Sequence, residues 1–111
     1  SINATMRSSI DRDKKEMKST DFYSTYYGSN GPIWYRGYFY DPIPESAVDS
    51  ILTSMSSEHI VVGHCSNEEV VSRYNNKIFG VDSSIKRGTY GEVLFINSNG
   101  FYRGTKEGKK I

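Results

Sequence analysis

Only one cysteine, Cys65, occurs in the 111 residues, so no disulfide can close within the chain. A lone thiol suits a reducing compartment, and the chain reads as cytoplasmic, or as periplasmic if a leader precedes it. No apolar run approaches the ~20 residues that a membrane-crossing helix needs, and no signal-like apolar stretch opens the sequence. Charge of one sign is scarce as well: 14 Lys and Arg stand against 13 Asp and Glu, a net charge of +1. Backbone phosphates of nucleic acid call for a concentrated basic surface, so nucleic acid is excluded as the main partner. The one basic run, Lys106 to Lys110, is interrupted by Glu107 and Gly108 and reads as a solvated tail. The first residue is Ser rather than Met, as in a processed or cut chain.

Aromatic side chains are abundant: nine Tyr, five Phe and one Trp. Nine of them fall between Phe22 and Tyr40, in a segment broken by Gly28, Gly31, Pro32 and Gly37. Such punctuation predicts irregular backbone over 19–43. Flexible linkers are poor in aromatics, so this loop must pack on something or line a site. Before it, Ile2, Met6, Ile10 and Met17 recur at helical spacing and predict an amphipathic helix over 2–17. After it, Ala47, Val48, Ile51, Leu52 and Met55 share one helical face, with Pro44 suited to the first turn.

The β-branched run Ile60-Val61-Val62 then predicts a buried strand ending at Gly63. Residues 68–74 form a short helix or strand, 77–81 a strand, and 82–91 a loop. Two strands, 92–96 and 101–103, close a hairpin on Asn97-Ser98-Asn99-Gly100. The order predicts an α+β fold with two main helices and a mixed or antiparallel sheet. No internal boundary interrupts 1–111.

Three patterns could carry chemistry. His64 stands at the carboxyl end of a strand, where sheets with parallel strands place ligands, and imidazole there could bind a divalent metal. Its neighbour Cys65 points elsewhere in an extended segment, so a Cys–His pair is disfavoured. His59 lies a strand length from His64, too far to share one metal, and is structural or exposed. Arg36, set among Trp34, Tyr35 and Tyr38, carries a guanidinium that stacking would hold for a grip on phosphate. The loop Val81 to Gly91 offers Asp82, Arg87 and Tyr90 to the border of an anionic site, although turn chemistry explains most of it equally well.

Taken together, Asn3 and Arg7, then Gly31-Pro32-Ile33-Trp34-Tyr35-Arg36-Gly37, Ile60-Val61-Val62-Gly63-His64, Val81-Asp82-Ser83 and Tyr90-Gly91 resemble the calcineurin-like metallophosphoesterases, especially a bacterial branch of Shewanella-type protein phosphatases. The resemblance spans nearly the whole chain and implies the C-terminal half of a two-sheet sandwich. It implies a parent enzyme, a hydrolase of phosphomonoesters, phosphoproteins among them, with two divalent ions (Mn, Fe or Zn) activating a hydroxide. His64 would be a metal ligand and Arg36 would hold the substrate phosphate. The family's earlier metal motifs are absent, so the isolated chain is expected to bind no metal and to be inactive. Its expected partners are a phosphorylated substrate, the missing N-terminal half and, through open strand edges, a second copy as a homodimer. The alternative is a non-enzymatic binding module that recognises a partner through the aromatic loop 22–40.

Overall fold

A computed structural model describes residues 2–31, 33–40 and 43–110. The chain forms two compact units, 1–36 and 37–111.

The first unit is made of short helices. The amphipathic stretch predicted as one helix is two, α1 (Ile2–Ser9) and α2 (Lys14–Lys18). Polar side chains compete with the helical backbone here. Ser9 Oγ donates to the Met6 carbonyl at 2.7 Å, and Asp13 caps a new helix by accepting from the Glu16 amide at 2.9 Å. Thr20 caps α3 (Asp21–Tyr26) in the same way, through the Tyr23 amide at 3.2 Å. The aromatic loop is therefore partly helical. Tyr23 stacks on Tyr27 with ring centroids 5.4 Å apart, and Phe22 meets Tyr26 at 4.8 Å. Aromatics at helical spacing half-bury one another, which the density of breakers in the sequence concealed.

The second unit begins with α4 (Gly37–Tyr40) and α5 (Glu45–Ser54), the latter entered through Pro44. Three short strands follow: β1 (Ile60–Val62), β2 (Val71–Arg73) and β3 (Ile78–Gly80). Their spatial order is β1-β3-β2, with β1 parallel and β2 antiparallel to β3. The centre is thus β3 and not β1, against the expectation of a buried strand before His64. As an edge strand, β1 leaves Val61 47% exposed, whereas Ile78 on β3 is fully buried. The buried core is Val48 and Leu52 of α5 against Ile78, with Phe39, Ile60, Val62 and Tyr74 packed around it.

A hairpin of β4 (Glu92–Asn97) and β5 (Gly100–Thr105) makes the second sheet. Asn97 pairs with Gly100, and the Asn97 side chain accepts from the Asn99 amide at 2.8 Å. Gly100 adopts φ +131°, which a side chain would resist. Phe101 of the hairpin stacks on Phe79 of β3 at 4.4 Å and meets His59 at the same distance. His59 is accordingly structural, its Nδ1 also 2.8 Å from the Asn76 carbonyl. The basic tail is exposed but folds back: the Thr105 amide donates to the Lys109 carbonyl at 2.8 Å, and Lys110 bridges to Gly104.

The fold is α+β, as the pattern of elements implies. The expected two main helices are five short ones among the described residues, and the sheets have three and two strands. Half of a two-sheet metallophosphoesterase sandwich does not describe this arrangement.

Gly80 permits the tight packing at the sheet centre. A Cβ there would lie 2.9 Å from the Phe39 ring and 3.1 Å from Val71 Cγ2. Gly80→Ala is expected to lower stability by about 1–3 kcal/mol through overpacking. Urea unfolding reads this as a lower midpoint with unchanged slope.

Candidate functional site at the ends of two parallel strands

Because β1 and β3 run parallel in register, with Val62 opposite Gly80, their carboxyl ends emerge side by side. The Val81 amide extends the ladder by donating to the Val62 carbonyl at 2.9 Å. The two loops that follow are then tied together. Asn67 donates from its amide to the Asp82 carbonyl at 2.8 Å, and Ser84 Oγ donates to the Asn67 carbonyl at 2.6 Å. Ser83 and Ser84 are buried, so these loops are anchored in the fold.

His64 follows β1 by two residues, is exposed, and adopts φ +69°. A non-glycine residue in the left-handed region is uncommon, and such positions gather at functional sites. Asp82 faces the same end of the sheet. Its Oδ1 accepts from the Ser84 amide at 3.0 Å and its Oδ2 from Ser66 Oγ at 3.0 Å. The Ser84 amide lowers the Asp82 pKa most; partial burial opposes it, and Ser66, Lys86 and His64 lower it further. Asp82 therefore stays ionised, and the site combines an anchored carboxylate with an imidazole and the Lys86 ammonium.

The other two loop candidates serve a different place. Arg87 and Tyr90 line a polar cavity of about 390 Å³ together with Glu68, Glu69, Ser83 and Ser84. Tyr90 donates to Glu92 Oε1 at 2.5 Å, and this bond to the carboxylate raises the phenol pKa, with burial adding to it. Arg36 belongs to the first unit, where its guanidinium carbon lies 5.4 Å from the Trp34 ring centroid, the stacking that its aromatic neighbours suggest.

Cys65 is buried, 5% exposed, which withholds the thiol from attack on a substrate. Among the described residues, no three His, Cys, Asp or Glu gather as ligands for a metal ion. The described residues do not fit a two-metal centre.

Sequence reasoning missed Ser66 and Lys86. Both are ordinary surface residue types, and only the meeting of two loops 16 and 20 positions apart gives them a role. It also missed Glu92, whose side chain is fully buried and paired with Arg103. A signal for that pair existed. The Asn97–Gly100 turn fixes a register that puts Glu92, Leu94, Phe101 and Arg103 on one face of the hairpin.

No family model matches the chain, and no curated protein matches it. Solved structures do. A cold-active protein tyrosine phosphatase is 42% identical with a TM-score of 0.91, over 99% of this chain and 32% of that one. A cold-active protein-tyrosine phosphatase from a psychrophilic Shewanella species matches at 42% identity and TM-score 0.91, over 99% of this chain and 33% of that one. These matches overturn the calcineurin-like metallophosphoesterase assignment: the similar proteins are protein tyrosine phosphatases. The two divalent ions expected of a parent enzyme fall with that assignment. So does the argument for an inactive chain, which rested on missing metal ligands. The chain spans about a third of the length of the solved structures it matches, and over that span it is similar to a cold-active protein tyrosine phosphatase.

Proposed function

We propose that this chain carries phosphate-contacting residues of a phosphatase that hydrolyses phosphotyrosine in proteins. The observation that carries the reading is the 42% identity, at a TM-score of 0.91, to proteins named for that activity. The strand-end site gives it a chemical basis. A phosphomonoester dianion needs donors and positive charge, and the site offers the His64 imidazole and the Lys86 ammonium on anchored loops. In this reading His64 faces the phosphate, where its imidazole can share a hydrogen bond with a phosphate oxygen. Arg36, steadied over Trp34 within the first unit, carries a planar fork of the kind that grips an anion and is proposed separately from the strand-end site. Asp82 keeps its loop in place, and Arg87 and Tyr90 border the neighbouring cavity, where they would meet the peptide. No observation favours a binding module built on the aromatic loop 22–40.

The test is release of inorganic phosphate from a phosphotyrosine peptide. His64→Ala and Arg36→Ala are each expected to lower kcat/KM about 10²-fold or more, with folding unchanged by circular dichroism. A protein that releases no phosphate above background, or variants that match wild type, would overturn the proposal.

A further inference from the structure

Ile85–Arg87 form a single 3-10 turn between Ser84 at φ +62° and Gly88 at φ +72°. Three residues per turn send three successive side chains in three directions. Ile85 packs against Gly91, where an added Cβ would lie 2.7 Å from Ile85 Cδ1. Arg87 lines the polar cavity of about 390 Å³. Lys86 turns to the strand ends, where its Nζ donates to Ser66 Oγ at 2.8 Å.

That contact has a defined direction. A serine hydroxyl has one proton, and Ser66 gives it to Asp82 Oδ2 at 3.0 Å. Its lone pairs are thereby aimed at Lys86. Asp82 is held in turn by the Ser84 amide, next to the turn that carries Lys86. Lys86 donates to the neutral Ser66 hydroxyl rather than directly to Asp82, and it feels that carboxylate, whose pKa it lowers, one hydrogen bond further away. An ammonium has three donors, and the bond to Ser66 uses one of them.

We propose that Lys86 is a phosphate-contacting residue at the ends of β1 and β3, and that Ser66 and Asp82 are its positioning pair. The proposal rests on the phosphatase reading and deepens it by naming a cation that grips the substrate. Lys86 and His64 stand on the two loops that the parallel strands bring together, so a phosphate at the strand ends meets both.

Phosphotyrosine is the probe, titrated into the protein while backbone amide shifts are followed by NMR, with unphosphorylated tyrosine as control. The wild-type protein is expected to bind phosphotyrosine with shifts at 64–66 and 82–86. Lys86→Met weakens binding about tenfold or more, and Lys86→Arg retains most of it. Ser66→Ala weakens binding less than Lys86→Met does, and has no further effect in the Lys86→Met background, because Ser66 acts through Lys86. A folded Lys86→Met that binds as tightly as wild type removes the role of Lys86 and leaves the phosphatase reading standing. Independent effects of Ser66→Ala and Lys86→Met remove the positioning pair. Failure of the wild-type protein to bind phosphotyrosine removes both this inference and the reading beneath it.

Discussion

Arg103→Met is expected to lower stability by about 2–4 kcal/mol, below the full penalty for breaking a buried ion pair because the arginine side chain is one-third exposed. The residue it abandons is Glu92, whose side chain has no exposure. Arg103 grips that carboxylate with two bonds, Nε to Oε2 and Nη2 to Oε1, each 3.1 Å. Nη2 also reaches Glu69 Oε2 at 2.9 Å. Glu92 further accepts from the Val70 amide at 2.8 Å, so the pair ties the hairpin to the segment entering β2.

The pH dependence of this loss has a definite sign. Burial pushes the Glu92 pKa up, but the bonds from Tyr90, Val70 and Arg103 outweigh it and hold the carboxyl below its ordinary value. A folded-state pKa below the unfolded one contributes stability that is present above the unfolded pKa and lost as pH falls through the folded one. Without Arg103 the balance shifts toward burial, and protonation then relieves the unpaired charge. The gap between wild type and Arg103→Met should therefore narrow as the solution is made acidic. Urea midpoints at neutral and acidic pH measure it, and a gap independent of pH would mean that the cost is lost packing by the arginine stem.

Ile78→Ala is the second large effect, about 2–5 kcal/mol. Ile78 is fully buried on the central strand, and Val48 and Leu52 of α5 pack against it. Both flanking strands pair with it, β1 at Ile60 and β2 at Arg73, so the backbone cannot close over a cavity without disturbing two ladders. Loss of a large part of the 5–15 kcal/mol typical of a small domain is a loss of folded protein at physiological temperature. Thermal unfolding followed by circular dichroism measures it. Val61→Ala is the matched control on the exposed face of β1 and should change little.

Elements whose signal is local were legible along the chain. Pro44 before an apolar helical face fixed α5, and the Asn97–Gly100 turn fixed the hairpin and its register. Propensity and turn chemistry act over a few residues, so they are legible without the rest of the chain. Trp34 beside Arg36 suggested the stacked guanidinium for the same reason. The single helix expected over 2–17 failed at Ser9 and Asp13, where side chains captured backbone groups that periodicity does not count.

Which strand is central depends on long-range pairing. Ile60-Val61-Val62 and Ile78-Phe79 are equally apolar runs, but the crossover that places β3 between β1 and β2 buries Ile78 and leaves Val61 at an edge. Such pairing also decided the candidate site. His64 and Asp82 were legible one at a time, as residues after strands. Ser66 and Lys86 acquired roles when the parallel pairing of β1 and β3 set their two loops side by side. A carboxylate, a hydroxyl and an ammonium far apart in sequence become one chain of hydrogen bonds only through that pairing, and periodicity along the sequence does not encode it.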